Sequence, residues 1–262
     1  MLLSVCAVLK DVGDLERISP FLGRATHAAF LGMIAHYDAA AAKELHDEEG
    51  RKAFTVSPLL HTPGEKPSKC YTRFTTFSPS LSQLFLEIVQ AESPAHIDLD
   101  GQLIPVEAWC IEASQHVEAT QTTYYELMGH WLSRRNPPTR ITLKFLSPTT
   151  FRSRGRNMPL PLPHLVFGSL VEHWNALAPF ALDSSIKTFV EESLAISGFR
   201  LRSDLVSIAG GKQVGFMGSC TYIATQNDPF PLASLNLLAD FAFFSGVGAK
   251  TTMGMGQTRR VS

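Results

Sequence analysis

The sequence predicts an α+β protein built from two tandem domains that share the element order βαββαβ. Segments with the helical period of apolar residues alternate with short strand-like segments, and this alternation occurs twice along the 262 residues. Asn136-Pro137-Pro138 separates the two runs, because proline neither continues a helix nor donates to a strand ladder. A hydrophobic fraction of 45% and a charged fraction of 18% are typical of a globular core and argue against disorder.

The first domain is predicted to span residues 1–133. Leu2–Leu9 has the composition of a strand, and Ser19-Pro20 is typical of a helix start, with Ser as the N-cap and Pro at the first helical position. Helical spacing continues to Leu45, and Asp38 is a candidate N-cap for a second helix that ends near His46. The other predicted elements are strands over Ala53–Leu60 and Cys70–Phe77, a helix over Leu81–Ala91 and an extended segment over Leu103–Val117.

The same order is predicted over residues 139–262. Gly210-Gly211 joins two of its strands, since glycine supplies the positive φ that a tight hairpin turn requires. The predicted elements are strands over Thr139–Phe145, Phe199–Ala209, Gln213–Ala224 and Met255–Val261 and helices over Pro161–Ala178 and Leu232–Phe244. Because βαββαβ is the order of a ferredoxin-like domain, we expect two ferredoxin-like domains in tandem.

A glycine-rich stretch lies between the last predicted helix and the last predicted strand. It fails the phosphate-binding loop pattern because Ala249 precedes Lys250, and it fails the dinucleotide fingerprint because Thr251 stands where the third glycine should be. Glycine still lets the backbone approach a ligand, and successive exposed N–H groups beside a lysine suit a phosphate chain. The alternative is a helix C-cap followed by a tight turn. The candidate anion-binding residues of this loop are Gly246, Gly248, Lys250, Thr251, Gly254 and Gly256.

The formal net charge of −1 hides a polarised distribution. Residues 1–133 carry 9 Lys/Arg and 17 Asp/Glu, whereas residues 134–262 carry 14 Lys/Arg and 7 Asp/Glu. A basic half of this kind indicates polyanion binding, and the alternatives are a random scatter of charges or a charge-paired interface between the halves.

Alternating arginines mark two places in the basic half. Arg152, Arg154 and Arg156 alternate between a predicted strand and helix, and an extended backbone would put their guanidinium groups on one side. That geometry suits phosphates, although a solvated loop is the alternative. Arg200 and Arg202 alternate on a predicted hairpin strand and are candidates to contact the phosphates or the groove of such a polyanion.

Several classes of protein are disfavoured. The four cysteines are widely spaced, and no His/Cys/carboxylate cluster has metal-ligand spacing, so we expect reduced thiols in a cytosolic protein and neither a metal nor another cofactor. Met1–Leu9 has no basic leader and is interpreted as a strand rather than a signal peptide. No charge-free apolar stretch reaches about 18 residues, so no membrane span is expected.

Taken together, these motifs resemble a known family. The paired ferredoxin-like domains, the loop pattern G-x-G-x-x-T-x-x-G-M-G and the S-P-T-x-F segment that starts at Ser147 resemble the CRISPR-associated repeat-processing endoribonucleases of the RAMP superfamily. The resemblance covers nearly the whole chain. Its more specific mark is the run from Leu45-His46 through Lys52, Phe54 and Thr55.

The resemblance implies metal-independent cleavage of CRISPR precursor RNA within each repeat, in which a 2′-hydroxyl attacks the adjacent phosphate. The products would carry a 2′,3′-cyclic phosphate and a 5′-hydroxyl. Such a reaction needs a proton acceptor, a proton donor and a cation near the developing charge. By motif position, His46 matches the family's catalytic histidine and Lys52 matches its lysine.

One position departs from the family pattern. Some members carry a tyrosine where this sequence has Leu31, so another group is expected to fill its role. His36 and Tyr37 lie on the same helical region and are candidates for that role, and His27 and His36 are each candidates for an alternative or auxiliary catalytic acid.

The expected partner is CRISPR repeat RNA in the cytoplasm, and effector-complex subunits and a second copy of the chain are further candidates. Two other functions stay open at this point. A non-catalytic RNA-binding subunit of a CRISPR effector complex would bind RNA without cleaving it. A small-ligand protein with a nucleotide loop would be stabilised against heat by nucleotides.

Overall fold

The computed structural model describes residues 1–10, 12, 21–47, 50–62, 69–208 and 211–261, and the chain divides into two compact units. Unit 1 comprises Met1–Gln121 with Thr252–Gly254, and unit 2 comprises Thr122–Thr251 with Met255–Ser262. No helix in the described ranges has the length and hydropathy needed to cross a bilayer.

The first sheet has the ferredoxin-like strand order. Its main path runs β2-β4-β1-β6-β5, so the first strand lies between β4 and β6 and pairs antiparallel with both. The elements up to residue 122 are β1 (Leu2–Leu9), α1 (Gly23–Tyr37), α2 (Ala39–Asp47), β2 (Phe54–Val56), β3 (Leu60–His61), β4 (Cys70–Thr76), α3 (Pro79–Glu87), β5 (His96–Leu99), β6 (Gln102–Cys110) and β7 (Thr120–Thr122).

The two helices after β1 are separated where the sequence predicts. The carboxylate of Asp38 accepts hydrogen bonds from the N–H groups of Ala40 and Ala41, both at 3.0 Å, and so caps α2. The predicted helix start at Ser19-Pro20 lies outside the described residues.

The predicted strand over Ala53–Leu60 is instead two short strands. Pro58 has no N–H to donate, and the carbonyl of Ser57 accepts from two side-chain hydroxyls, that of Thr26 on α1 at 2.9 Å and that of Thr72 on β4 at 3.1 Å, rather than from a backbone N–H. The break therefore follows from proline chemistry and from a contact with α1.

The second sheet repeats the same strand order as β11-β12-β8-β13, with antiparallel pairing throughout. Its first strand again lies in the centre, so the prediction of an α+β fold with tandem ferredoxin-like domains is confirmed. The elements are α4 (Tyr124–Leu132), β8 (Arg140–Thr149), β9 (Phe151–Ser153), β10 (Arg156–Met158), α5 (Pro163–Leu177), α6 (Ser185–Ser193), β11 (Leu194–Ile208), β12 (Gly211–Ala224), α7 (Pro229–Ser245) and β13 (Thr258–Arg260).

The core of unit 2 lies around α7, which is buried on most of its surface because its sequence is apolar almost throughout. Phe241 of α7 makes an edge contact with Trp174 of α5 at 5.1 Å between ring centroids, and Trp174 makes another with Tyr124 of α4 at 5.2 Å. Three helices are therefore joined through one aromatic cluster. Of the predicted hairpin doublet, Gly210 lies outside the described residues, and Gly211 has a φ of 126°.

Candidate active site and basic sheet face

His27 lies on α1, half-buried, with its ring held on two sides. Its Nδ1 atom is 2.8 Å from the carbonyl oxygen of Thr252, and the ring stacks on Phe54 with centroids 5.7 Å apart and planes 24° from parallel. A carbonyl oxygen can only accept a hydrogen bond, so Nδ1 carries the proton. In the neutral ring, Nε2 therefore keeps a free lone pair.

Two glycines of unit 1 allow Thr252 to reach this ring. A Cβ atom on Gly23 would lie 2.0 Å from the carbonyl oxygen of Met253, and a Cβ atom on Gly254 would lie 2.6 Å from the Cα of Gly23. Gly254 also has a φ of 86°, which side chains disfavour. The end of the glycine-rich stretch is thus packed directly on the first turn of α1, and this contact fixes the carbonyl against His27.

Lys52 and His46 meet at the C-terminal end of α2. The ammonium group of Lys52 donates to the carbonyl oxygens of Leu45 and His46, the latter at 3.0 Å. Carbonyl dipoles at a helix C-terminus attract a cation, so these contacts hold the ammonium group of Lys52 at the end of α2. His46 is exposed in the last turn of the same helix.

His27 lies within electrostatic reach of both groups. Burial lowers the pKa of His27 below its ordinary value, the hydrogen bond to Thr252 opposes that change, and electrostatic interaction with Lys52 and His46 lowers the pKa further. The result is a neutral imidazole with a free Nε2 beside a lysine cation. This combination is suited to accept a proton next to a phosphate.

His36 is not brought into this group. It follows His27 by nine positions, which at about 100° per residue places it on the opposite face of α1. There it lines a separate cavity of about 620 Å³ together with Tyr37 and Leu103. The expectation that His36 or Tyr37 replaces the family tyrosine is therefore not supported by their placement.

His27 lies next to Leu31, the position at which some family members carry a tyrosine. Leu31 follows His27 by four positions, which places both residues on one face of α1. The spacing to Leu31 is the sequence signal that would have identified His27 ahead of His36. Among the residues that the structure describes, no group of three or more His, Cys, Asp or Glu side chains is arranged to hold a metal ion.

The three arginines of the β9–β10 segment do not share one side, so that expectation is wrong. The chain reverses at Arg154 and Gly155, both with positive φ, and forms a hairpin in which Asn157 opposes Arg152 and Arg156 opposes Ser153. Successive residues of a strand face opposite sides, so Arg152 and Arg156 point to different faces. The guanidinium group of Arg152 also donates to the Asn157 side chain at 3.0 Å.

The glycine-rich stretch does not present a row of exposed N–H groups, which corrects the expectation of a phosphate cradle. The N–H of Val247 donates to the carbonyl of Gly256 at 2.9 Å, and the N–H of Gly256 donates to the carbonyl of Pro148 at 3.1 Å. Gly248 donates to the Ser169 hydroxyl at 3.0 Å. Internal acceptors thus occupy these donors, and a Cβ on Gly256 would meet the Val247 carbonyl at 2.2 Å.

The other loop candidates differ among themselves. Gly246 ends α7 as its C-cap with a φ of 62°, and Thr251 is buried. Lys250 is exposed and keeps a cation at the surface of unit 2. Packing therefore explains the glycines, as the C-cap alternative anticipates in part.

Cations collect on the outward face of the unit 2 sheet, here called the basic sheet face. Lys144 of β8 lies between the buried residues Leu143 and Phe145, and so points away from the helices. Its register partners are Ser219 of β12 and Arg259 of β13. Ser219 in turn pairs with Arg200 of β11, which forms one row across all four strands. The face comprises Arg140, Lys144, Arg200, Arg202 and Arg259.

Two family models match the chain. The model described as CRISPR-associated endoribonuclease Cas6 matches residues 143–258, and the CRISPR Cas6 N-terminal domain model matches residues 16–78. Together the two matches cover more than half of the chain.

Curated relatives and solved structures agree with these matches. The CRISPR-associated endoribonuclease Cas6 of Mycobacterium tuberculosis is 33% identical over 149 residues, which is 54% of this chain and 47% of the relative. The chain thus spans about half the length of the curated relatives it matches. The structure of Thermus thermophilus Cas6 is 28% identical with a TM-score of 0.78, covering 100% of this chain and 98% of that one. A Cas6 product complex is 28% identical with a TM-score of 0.84, covering 100% and 99%.

Proposed function

The chain belongs to the CRISPR-associated endoribonuclease Cas6 family, and on this premise we propose that it cleaves CRISPR precursor RNA within its repeats. The observation that carries the proposal is the grouping of His27, His46 and Lys52 in unit 1. Two imidazoles and one ammonium group can supply the proton acceptor, the proton donor and the cation that such a phosphodiester cleavage uses.

In the proposed reaction, Nε2 of His27 accepts the proton of the 2′-hydroxyl next to the scissile phosphate. The resulting oxygen bonds to phosphorus while the bond to the 5′-oxygen breaks, and protonated His46 gives its proton to that leaving oxygen. Lys52 stabilises the charge that accumulates on the phosphate oxygens in the transition state. The products are a 2′,3′-cyclic phosphate and a 5′-hydroxyl, and the enzyme is left with its proton moved from one histidine to the other.

The proposed RNA contacts lie on the basic sheet face and at Lys250. Phosphates neutralised by arginine and lysine release counterions, so binding weakens as salt rises. Arg152, Arg154 and Arg156 remain candidate contacts as single residues rather than as one row. Effector-complex subunits and a second copy of the chain remain proposed partners.

The decisive experiment compares cleavage and binding in one set of variants. Wild type, His46→Ala and His164→Ala are incubated with labelled repeat RNA in EDTA, and affinity is measured separately. His164 is an exposed histidine on α5 and is the matched control. We expect cleavage by wild type and His164→Ala, and RNA binding without cleavage by His46→Ala. Binding without cleavage by wild type would instead identify a non-catalytic RNA-binding subunit.

A further inference from the structure

A pocket opens on the basic sheet face where β8 parts from β12. Gly218 of β12 pairs with Phe145, but Phe216 pairs with Thr149, so the intervening β8 residues have only Met217 opposite them. Such a bulge bends one strand away from the other and interrupts the ladder. The result is a cavity of about 480 Å³.

The lining of this pocket is cationic at its two sides and apolar between them. Lys144 stands on the β8 side and Arg200 with Arg202 on the β11 side, so cations flank it from both directions. Leu146 and Met217 supply apolar surface between them. The volume lies within the range of ordinary ligand pockets, about 300–1,000 Å³.

The register brings the two flanking charges within reach of one anion. Arg200, Ser219 and Lys144 are consecutive partners across three strands, and strands lie about 4.8 Å apart, so the backbones that carry the two cations are about 10 Å apart. Long side chains from both sides can converge on a phosphate over the Ser219 hydroxyl, which adds a donor.

A nucleotide matches the two kinds of surface in this pocket, because its phosphate is anionic and its base has a flat, largely apolar face. We propose that it binds one unstacked nucleotide of the RNA substrate, with the phosphate between Lys144 and Arg200 and the base against Leu146 and Met217. Proteins read RNA mostly at bases that are splayed out of a helix, and a thioether packs well on a flat ring. This inference deepens the proposed function and rests on it, because it names how the substrate is read.

The test is a scan with abasic RNAs in the His46→Ala background. A panel of repeat RNAs, each lacking one base, is titrated against His46→Ala and against the same chain carrying Met217→Ala. We expect one abasic position that weakens binding to His46→Ala at least fivefold. We expect this position-specific loss of affinity to disappear in the Met217→Ala chain. All the other RNAs should bind that chain more weakly by one common factor.

The role of the flanking cations is tested by the salt dependence of RNA binding. Lys144→Ala and Arg200→Ala should each weaken binding and reduce the slope of log affinity against log salt by about 1. Lys187→Ala is the matched control, since that lysine lies on α6 beside Glu172 at 3.6 Å. We expect it to leave both affinity and slope unchanged.

Three outcomes would overturn the inference. They are an RNA with no abasic-sensitive position, a sensitivity that persists in full in Met217→Ala, and normal binding by both Lys144→Ala and Arg200→Ala. Each can occur while wild type still cleaves repeat RNA, so the nuclease would stand without the pocket. The opposite combination is also possible. If one abasic position weakens binding only when Met217 is present, but wild type does not cleave repeat RNA, the nucleotide pocket would be supported and the proposed nuclease activity would be refuted.

Discussion

Replacing Gly23 by alanine should slow RNA cleavage about 100-fold and leave RNA affinity within about twofold. The new Cβ atom would lie 2.0 Å from the carbonyl oxygen of Met253, whereas real contacts of this kind stay above 3.0 Å. Either the first turn of α1 or the segment Thr252–Gly254 must then move by about 1 Å. A displacement of that size at a reacting group can cost about 100-fold in rate.

The movement acts through the hydrogen bond between Nδ1 of His27 and the Thr252 carbonyl. Once that bond is lost, the ring can adopt the other tautomer, in which Nε2 carries a proton and cannot accept one. The free energy of unfolding should also fall, by about 1 kcal/mol for the bond and about 1–3 kcal/mol for the strain.

Gly32→Ala is the matched control on the same helix. Nothing lies within 4 Å of a Cβ atom at that position, and alanine favours a helix over glycine by up to about 1 kcal/mol. Single-turnover cleavage, equilibrium RNA binding and thermal unfolding are measured on wild type and both variants. Nitrogen-15 NMR of the histidine rings reports the His27 tautomer. A folded Gly23→Ala protein that cleaves at the wild-type rate would refute the idea that the glycine-rich stretch positions His27.

The remaining predictions concern the same three side chains and the basic sheet face. His46→Ala should lower single-turnover cleavage at least about 100-fold with little change in affinity, since a general acid contributes about 10²–10⁴-fold; an unchanged rate would move the proton transfer elsewhere. Because the pKa of His27 is lowered, the decline of cleavage on the acid side of the pH–rate profile should begin below about 6.5, and the contribution of His27 to folding stability should be complete above that pH and diminish below it; pH–rate and pH–stability profiles of wild type and His27→Asn measure both, and superimposable profiles would contradict this. Lys52→Ala should reduce cleavage about 10²–10³-fold, with partial recovery in Lys52→Arg, as expected for charge stabilisation. Arg202→Glu should weaken RNA binding and flatten its salt dependence, and an unaltered salt titration would exclude this residue from the RNA path.

Most of the fold could be predicted from local sequence patterns. Apolar runs and glycine or proline punctuation located β1, β4, α5 and the four strands of the main unit 2 sheet, but not the β9–β10 hairpin, because strand and helix periods are properties of short segments. The helix α4 was missed although Thr123 and Glu126 form a complete capping box at its start. There the signal was present in the sequence, as a threonine followed three positions later by a glutamate.

The candidate site also has a part that local sequence patterns predict and a part that depends on distant contacts. His46 and Lys52 lie six positions apart, so a motif could specify both. His27 depends on a carbonyl 225 positions away, and no local spacing predicts that contact. The arginines of β9 and β10 were misplaced because a turn at Arg154 and Gly155 reverses the chain, although glycine is a common turn residue.

The most direct test of the proposed chemistry is the reaction of wild type with an RNA that carries a single 2′-deoxy substitution at the scissile nucleotide, in EDTA, beside the unmodified RNA. The mass of the upstream fragment is recorded. Attack by the 2′-hydroxyl with His27 as the proton acceptor predicts that the unmodified RNA gives a fragment with a 2′,3′-cyclic phosphate and that the deoxy RNA is bound but not cut. Cleavage of the deoxy RNA at the same position would contradict the mechanism.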